Sequence, residues 1–388
     1  MERIGKGQSG KGLSVYAHVP FCKSKCPYCD FNSFESGNVP EKDYARALVE
    51  ELGFILKNED SVIIEGPLKT LYMGGGTPSL IEAKTAGVII EGIFNAIPPL
   101  KDVEITLEAN PDTVNLEKLR GFKNAGINRI SIGAQSFDDK DLRSLGRTHD
   151  AAKTVLAVIN AEKAGFENIG IDLIFGIPGQ TLSSWEGTLK KTTELRPKHV
   201  SVYCLKIEEG TPFGEMQKKG KIKTLSEELE IEMYLAAIEM LKHAGCVHYE
   251  ISNFSLPGFE SKHNRNYWKG GDYIGLGAGA HSYAGRPGFG KRWWNEKDPY
   301  LYMELVHKGK SVATGSEILT KKQALAEGIF LGLRVIEGID EKEFEARFAV
   351  RIGDAMDVEG FISKGLLIRQ GAVLRLTQKG ILLSNEVF

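Results

Sequence analysis

LSVYAHVPFCKSKCPYC, residues 13–29, places an apolar run of strand length directly before three closely spaced cysteines. Five more strand-like runs follow within the first 210 residues, separated by amphipathic segments of helix length. These runs are 70–73, 103–109, 129–133, 169–175 and 200–205. Alternation of strands and helices is typical of βαβ units, in which the strands are parallel. We therefore predict an α/β fold built on six parallel strands.

Polar and glycine-rich residues stand just after the carboxyl ends of the predicted strands. They are Cys22, Gly74 to Thr77, Glu108, Gln135 and 176–179. A barrel of parallel strands gathers all such ends at one rim, where active sites are built. Six units rather than eight predict a partial (β/α)6 barrel that is open enough for a large substrate. A doubly wound open sheet is the alternative, because periodicity alone does not separate the two.

The pattern divides the chain into three parts. Residues 1–245 form the barrel core, and 246–318 form an aromatic, glycine-rich connecting segment that we expect to place loops and short strands over the rim. Residues 319–388 form a smaller C-terminal domain, in which helical patterns lead into a hairpin signal at Gln370-Gly371 and predict a winged-helix-like fold. Ten basic and ten acidic side chains in 321–388 favour protein packing over DNA binding.

Composition and charge restrict the possible partners and location. The 388 residues include 49 Lys and Arg against 51 Asp and Glu, so nothing indicates nucleic acid or an anionic membrane as partner. No stretch approaches the roughly 20 apolar residues of a membrane span, and 1–12 lacks the apolar core of a signal peptide. We predict a cytoplasmic protein without stable membrane insertion. In that reducing compartment the five cysteines would be thiols or metal ligands.

Cys22, Cys26 and Cys29 are the strongest chemical signal. Three thiolates in one short loop can hold three corners of a [4Fe–4S] cluster and leave the fourth iron open. A structural zinc site is the alternative, but it prefers four protein ligands, usually in two separated pairs. The chain offers no second pair, although His18 is a possible fourth ligand.

Several motifs in a fixed order resemble the radical S-adenosylmethionine family, and closely its anaerobic coproporphyrinogen oxidase branch. The resemblance extends over essentially the whole chain and includes a HemN-like C-terminal domain. The motifs are YAHVPFC at 16–22 with Cys26 and Cys29, GGGTPS at 74–79, EANP at 108–111, GAQSF at 133–137, Arg147 and DLIFGIPGQ at 172–180.

The resemblance implies a [4Fe–4S] cluster on the three cysteines, S-adenosylmethionine at its open iron, and an electron donor for the cluster. The residues that match S-adenosylmethionine contacts of the family are Tyr16, Tyr28, Gly75, Gly76, Thr77, Glu108, Gln135, Arg147 and Asp172. Glycine lets backbone groups approach a ligand closely, and the planar fork of Arg147 suits a carboxylate. Asp172 lies in an apolar strand and should therefore have a partner. The alternative interpretation of the glycines is a tight turn. The alternative for Gln135, Arg147 and Asp172 is a structural ion pair or hydrogen bond.

Two departures separate the chain from the oxidases of this branch. Phe31 stands where they typically carry another cysteine, and only fifteen residues precede Tyr16, where they have a longer extension. Both features match the HemW-type heme chaperones of the same branch. So does HNRNYW at 263–268, which resembles their His-Asn-x-x-Tyr-Trp motif.

The resemblance implies heme binding at His263, Tyr267 and Trp268. Imidazole can ligate heme iron, and aromatic rings can pack on a flat macrocycle. Lys262 or Arg265 could pair with a propionate. A hydrogen-bonded structural histidine is the alternative for His263. The other candidate iron ligands are His18, His248 and His281.

The expected function is that of a heme chaperone, which binds heme on a radical S-adenosylmethionine scaffold and delivers it to an acceptor apoprotein as a monomer or homodimer. The alternative is an oxygen-independent coproporphyrinogen III dehydrogenase, which forms protoporphyrinogen IX by radical oxidative decarboxylation. A third class is a radical enzyme that acts on heme itself. The sequence leaves open whether the chain is an enzyme.

Overall fold

The computed structural model describes residues 12–57 and 66–388. The N-terminal residues 1–11, for which we predicted no signal-peptide core, lie outside these ranges. Within the ranges, no helix combines the length and the apolar character that crossing a membrane requires.

The strands and helices of the described residues have the following bounds. The strands are β1 Leu13–Val19, β2 Phe21–Cys22, β3 Phe34–Glu35, β4 Leu68–Gly75, β5 Pro99–Ala109, β6 Arg129–Gln135, β7 Asn168–Phe175, β8 His199–Cys204, β9 Val247–Glu250, β10 Asn253–Ser255, β11 Tyr273–Leu276, β12 His281–Ala284, β13 Lys291–Asn295, β14 Ala313–Ile318, β15 Ile339–Asp340, β16 Leu367–Gln370 and β17 Val373–Leu376. The helices are α1 Glu41–Lys57, α2 Ala83–Ala96, α3 Leu116–Asn124, α4 Asp139–Ser144, α5 Ala151–Lys163, α6 Leu182–Glu194, α7 Pro212–Lys218, α8 Glu227–His243, α9 Lys262–Trp268, α10 Pro299–His307, α11 Lys321–Arg334, α12 Glu341–Phe348, α13 Ile352–Ala355, α14 Val358–Ser363, α15 Gln378–Leu382 and α16 Ser384–Val387.

Six parallel strands form the centre of the fold. They lie side by side in the order β1, β4, β5, β6, β7, β8, which is also their order along the chain. Helices α1, α2, α3, α5 and α6 connect successive strands. A doubly wound sheet would reverse its strand order around a switch point, whereas this order runs in one direction. The predicted partial (β/α)6 barrel is therefore confirmed, and the doubly wound alternative is wrong.

The two faces of the barrel strands differ in polarity. Successive side chains of a strand point to opposite faces. On β1, Val15 and Ala17 are fully buried in the apolar layer beneath the helices. Ser14, Tyr16 and His18 alternate with them and point into the barrel, where Tyr16 stacks on Tyr72 of β4 with ring centroids 6.2 Å apart. The apolar core thus lies between sheet and helices, and the barrel interior is polar.

Capping residues explain where the barrel helices begin and end. The Asn115 side chain accepts from the amide of Lys118 at the start of α3, and Asp150 does the same at the start of α5. Such caps satisfy amides that have no partner within the helix. Gly126 and Gly165 follow the two helices with φ of 105° and 89°, which favours glycine.

The connecting segment 246–318 differs from the expected loops over the rim. Strand β11 pairs parallel with β1, and β12, β13 and β14 continue from it as antiparallel strands. At the other edge, β10 pairs with β8, and β9 pairs with β10. The segment therefore widens the barrel sheet at both edges to twelve strands.

The C-terminal part has an apolar cluster of its own, which includes Leu333, Phe344 and Leu374. Its small sheet has the order β15, β17, β16, and β16 and β17 form the hairpin that we predicted around Gln370-Gly371. Ile251 and Tyr283 of the connecting segment pack against this cluster. The small, mainly helical C-terminal domain with its hairpin agrees with the prediction, although two short helices, α15 and α16, follow the hairpin.

Candidate functional site

Cys22 ends β2, and Cys26 and Cys29 lie in the loop between β2 and β3; we call residues 22–33 the cysteine loop. The two strands pair in parallel, so they hold the two ends of the loop side by side. Within the loop, Lys25 Nζ donates to the carbonyl oxygens of Phe31 at 3.2 Å and Ser33 at 3.0 Å. These backbone contacts give the cysteine loop a defined shape.

Asn32 attaches the cysteine loop to the strands that extend the sheet beyond β1. Its side-chain amide donates to the carbonyl oxygens of Ala278 and Lys297, both at 3.0 Å. Its own carbonyl oxygen lies 2.8 Å from His18 Nε2, and His18 Nδ1 lies 2.9 Å from the Tyr16 hydroxyl. Since a carbonyl only accepts, His18 donates from Nε2 and accepts from Tyr16 at Nδ1. The loop is thereby connected to β1 and to the β11–β12 turn.

Each cysteine sulfur has a polar side chain beside it. Hydrogen bonds to sulfur favour the thiolate and tune the potential of an iron–sulfur cluster. The chemistry of the loop therefore fits a cluster held by three thiolates. The three contacts are Thr77 Oγ1 to Cys22 Sγ at 3.5 Å, Arg147 Nη1 to Cys26 Sγ at 3.4 Å, and Ser33 Oγ to Cys29 Sγ at 3.8 Å.

The positions of the three cysteine sulfur atoms help to distinguish a site for a single metal ion from a site for a cluster. In the described part of the chain, no group of three or more His, Cys, Asp or Glu side chains is arranged to hold a single metal ion. A cubane takes each thiolate on a different iron, so it does not require the sulfurs to converge on one point. Burial raises the pKa of the Cys22 and Cys29 thiols. Metal binding at these positions would therefore release protons.

The turn at 74–77 brings the rim of β4 against the cysteine loop. Gly75 has a φ of 114°, and a Cβ there would lie 2.4 Å from the His18 ring. A Cβ on Gly76 would lie 2.7 Å from the carbonyl oxygen of Phe21. Both positions therefore require glycine for packing alone, as the tight-turn interpretation expects.

Glu108 lies half-buried at the end of β5 and faces the interior. Its Oε1 accepts from the Tyr72 hydroxyl at 2.7 Å, and its Oε2 accepts from the Gly75 amide at 3.1 Å. Burial and the nearby Asp172 carboxylate raise the pKa of Glu108 to about 7 despite these hydrogen bonds. Near neutral pH the group can therefore change its charge, and its ionised form would attract a cation at the rim.

Arg147 makes contacts that its predicted role did not include. Nη2 donates to Asn110 Oδ1 at 2.6 Å and to the carbonyl oxygen of Gly133 at 3.1 Å. Nη1 donates to Cys26 Sγ. The guanidinium group is thus occupied by the rim and the cysteine loop, and it adds positive charge beside one sulfur. Arg147 Nε is buried and makes no hydrogen bond with any described residue, so this N–H remains available to a ligand carboxylate.

The remaining predicted residues lie in the cysteine loop, at the rim and inside the barrel. Tyr28 is half-buried, with its ring centroid 6.3 Å from that of Phe213. Gln135 ends β6 with a φ of 65°, which is uncommon for a residue with a side chain. Asp172 accepts from Ser131 Oγ at 3.1 and 3.0 Å. The partner expected for Asp172 is therefore a hydroxyl, and burial raises the pKa of this carboxyl.

The His263 motif forms helix α9, where we expected a loop. His263 is only 1% exposed, with Nδ1 2.7 Å from Thr70 Oγ1 and Nε2 2.8 Å from the Tyr267 hydroxyl. Because Thr70 gives its own proton to Ser14, Nδ1 is the donor to Thr70 and Nε2 accepts from Tyr267. Burial lowers the pKa of His263 to about 3. The imidazole is neutral, and both its nitrogens are occupied.

Trp268 and the basic residues of the motif face away from the barrel interior. The Arg334 guanidinium lies 4.4 Å from the Trp268 ring centroid. Lys262 pairs with Asp102 at 2.7 Å, and Arg265 pairs with an acidic side chain, Glu337, at 2.9 Å. The two predicted propionate partners are therefore already in ion pairs.

The structure does not bring the His263 motif together with the cysteines. Thr70, which binds His263, lies five residues before Gly75 on β4. Five strand residues span about 16 Å. The cysteine loop is at the carboxyl end of the barrel strands, whereas α9 covers their amino ends.

Two family models match the chain. The Radical SAM superfamily matches residues 16–192, and the HemN C-terminal domain matches residues 319–383. Heme chaperone HemW of Bacillus subtilis (strain 168) is 37% identical over 383 residues, which are 97% of this chain and 98% of that protein. The protein belongs to the HemW family of radical SAM proteins. Heme chaperone HemW of Lactococcus lactis subsp. lactis (strain IL1403) is 36% identical and covers 97% of each chain.

A solved structure supports the fold of this HemW-family chain. Coproporphyrinogen III oxidase (HemN) from Escherichia coli superposes with a TM-score of 0.81 and 23% sequence identity. The match covers 97% of this chain and 89% of that one. At this identity the likeness concerns architecture, and it agrees with the partial barrel and the small C-terminal domain.

Membership of the radical SAM superfamily identifies two cofactors of the HemW-family chain. Radical SAM domains use a [4Fe–4S] cluster and S-adenosylmethionine, as we predicted from the sequence. The cysteine loop fits such a cluster because each of its three sulfurs has its own polar neighbour.

Several residues that shape this site in the HemW-family chain were not predicted from the sequence. Asn32 and Ser33 hold the cysteine loop, Tyr72 holds Glu108, and Asn110 connects Thr77 to Arg147. The interior position of Tyr72 could have been predicted, because polar and apolar residues alternate along β1 and β4. Because buried parallel strands usually read as continuous apolar runs, this alternation indicates a polar interior.

Proposed function

We propose that this chain is a heme chaperone that binds heme and delivers it to an acceptor apoprotein. The main support for this proposal is the similarity to curated heme chaperones along the full length, with 37% identity over 97% of the chain. The strand order has two free ends, so the six-unit barrel does not close and one side of it stays open. Phe31, which stands in place of the extra cysteine of the oxidases, is 64% exposed at the rim.

We assign the cluster to Cys22, Cys26 and Cys29. The residues that we assign to S-adenosylmethionine are Tyr16, Tyr28, Gly75, Gly76, Thr77, Glu108, Gln135, Arg147 and Asp172. When bound, the cluster and S-adenosylmethionine supply one-electron radical chemistry. Within this assignment, the ionised Glu108 attracts the cationic ligand, and Arg147 balances the negative charge of the thiolates.

The proposal includes three features of the cellular setting. The cluster requires an electron donor, and heme requires an acceptor protein. All five cysteines are free thiols in the described residues, which supports the reducing cytoplasm as the compartment. We propose a monomer or a homodimer as the working form.

Anaerobic heme titration tests the proposal. Cluster-loaded protein should bind hemin in equimolar amount and transfer it to an apo-hemoprotein. With a reductant and S-adenosylmethionine, it should leave coproporphyrinogen III unchanged. Formation of protoporphyrinogen with consumption of S-adenosylmethionine would instead support the dehydrogenase, and loss of the intact tetrapyrrole would support an enzyme acting on heme. Absence of heme binding would overturn the chaperone.

A further inference from the structure

The histidines of the chain differ in how their ring nitrogens are used. The chain has eight histidines, all within the described residues. In seven of them at least one ring nitrogen makes a hydrogen bond. His281 makes none with any described residue, and its side chain is exposed. Its imidazole is therefore available to an added ligand, in contrast to the buried and doubly bonded His263.

The sheet register shows which face His281 occupies. Tyr273 of β11 pairs with Ser14 of β1, whose side chain points into the barrel. Tyr283 of β12 pairs with Tyr273, so it shares that face. His281 lies two residues before Tyr283, and side chains two apart lie on the same face of a strand. His281 therefore faces the interior, on the open side of the barrel.

Aromatic rings surround this position. His281 stacks on Trp294 of β13, with ring centroids 5.9 Å apart and an interplanar angle of 26°. Tyr283 lies on the same face, 6.4 Å from Tyr273. We call Tyr273, Tyr283 and Trp294 the aromatic wall. Tyr283 packs against the C-terminal apolar cluster, so Trp294 is the partly exposed ring of the wall that lies beside His281 and can contact an apolar ligand.

Helix α9, at the amino ends of the barrel strands, supports this aromatic wall. Tyr267, which donates to His263, contacts the Tyr273 ring at a centroid distance of 4.6 Å. Tyr273 in turn contacts Tyr283. His263 and Tyr267 therefore act as positioning residues for the wall.

The charges beside His281 suit an anionic ligand. Arg292 is paired with Glu317 at 2.7 Å and with Glu327 at 2.9 Å, so its charge is balanced. Lys297 is exposed and makes no ion pair with any described residue. Its carbonyl oxygen accepts from Asn32 of the cysteine loop. A free cation thus lies between the wall and the loop.

We propose that His281 ligates the heme iron, with Trp294 stacked on its imidazole and a propionate at Lys297. This assignment rests on the proposed heme-chaperone function and locates its ligand. The turn before His281 carries Ala278, whose carbonyl oxygen holds Asn32. Heme at this wall would therefore lie next to the loop that carries the cluster.

Ligand replacement tests the assignment on the full-length, cluster-loaded protein. Hemin is titrated anaerobically into wild type, His281→Ala, His281→Cys and the control His243→Ala, which removes an exposed histidine on α8. Magnetic circular dichroism and EPR report the axial ligand, and the titration reports affinity. We expect His281→Ala to bind heme about tenfold more weakly or worse and to lose the wild-type ligand signature. His281→Cys should bind in equimolar amount with a thiolate signature, and His243→Ala should match wild type.

The outcomes separate this inference from the function on which it rests. If wild type binds heme and both His281 variants keep its affinity and signature, the ligand assignment is wrong while the chaperone proposal stands. If wild type binds no heme, the proposed function itself fails. A thiolate signature in His281→Cys supports the assignment even if His281→Ala does not fold.

Discussion

Arg147 combines two tasks in one side chain. It donates to Asn110 and Gly133 at the rim, and it places a positive charge beside the Cys26 sulfur. A cation next to a cluster stabilises the reduced state, which carries more negative charge. The family resemblance implies that Arg147 binds a ligand carboxylate, and that role does not include this electrostatic effect.

We expect Arg147→Gln to lower the midpoint potential of the cluster by tens of millivolts, on the order of a charged hydrogen bond's contribution. The measurement is anaerobic redox titration followed by EPR. Arg143→Gln is the control, because Arg143 is an exposed cation one helical turn earlier. An unchanged potential in Arg147→Gln would show that the charge does not reach the cluster.

We expect Glu108, which we assigned to the S-adenosylmethionine site, to make ligand binding dependent on pH. Its pKa of about 7 means that it is mainly neutral at pH 6 and mainly ionised at pH 8. If the carboxylate attracts the cationic ligand, affinity should rise about tenfold between these values. Equilibrium dialysis with radiolabelled ligand measures this change. Glu108→Gln should bind weakly with a flatter pH profile; the same slope in both proteins would contradict the role of Glu108.

At the scale of elements, α9 connects the barrel to the aromatic wall. Its residue types, with Asn at two positions and few strong helix formers, explain why the sequence did not predict a helix. The helix is held by the Ser261 cap, which accepts from the Asn264 amide, and by buried hydrogen bonds of His263 that depend on distant strands.

Tyr267→Phe tests the buried hydrogen bond of α9. The change leaves His263 Nε2 buried without a donor, which should destabilise the protein by about 1–2 kcal/mol. Chemical unfolding measures this difference. Tyr300→Phe should have little effect, because Tyr300 is 57% exposed. If Tyr267→Phe has wild-type stability yet a changed heme ligand signature, Tyr267 acts on heme directly and not as support.

The barrel strands could be predicted from the sequence, whereas the edge strands could not. The predicted runs 129–133 and 169–175 correspond to β6 and β7 within two residues at each end, because long apolar segments with glycine boundaries are strong local signals. Strands β9 to β14 are short, and their partners are far away in the chain. Their pairing depends on tertiary contacts that no local pattern reveals. For the same reason His281 was only one of several candidate iron ligands.

The candidate site shows the same division. The proposed cluster ligands Cys22, Cys26 and Cys29 could be predicted because they lie within eight consecutive residues. Asn32, in contrast, makes its contacts with Ala278 and Lys297, more than 240 positions away. A contact between residues so far apart in the chain cannot be predicted from the spacing of a local motif.

At the scale of the whole molecule, Arg334 joins the C-terminal part to the rest. It pairs with Glu250 at 3.3 Å, where the Glu250 side chain is fully buried, and it covers the Trp268 ring. The backbone adds a bridge between Glu250 and Val335. These four residues form one of the contacts through which the C-terminal part packs beside α9.

We expect Arg334→Leu to destabilise this packing by about 2–3 kcal/mol, because it leaves Glu250 buried without its cation. Hydrogen–deuterium exchange should show faster exchange in 319–388 and in α9. Arg351→Leu is the control, since Arg351 forms an exposed pair with Asp354 at 73% side-chain exposure. Equal protection in the two variants would show that other contacts hold the C-terminal part.

The attachments of the cysteine loop bear on how a cluster is first built. Lys25, Asn32 and the paired strands hold the loop through hydrogen bonds that do not involve the cysteine sulfurs. Ordering a residue costs about 1–2 kcal/mol of conformational entropy, and a loop that is ordered beforehand avoids most of that cost when it binds. The loop is therefore a template for assembly, and weakening the Asn32 anchor would slow insertion of iron and sulfide before it changed the finished cluster.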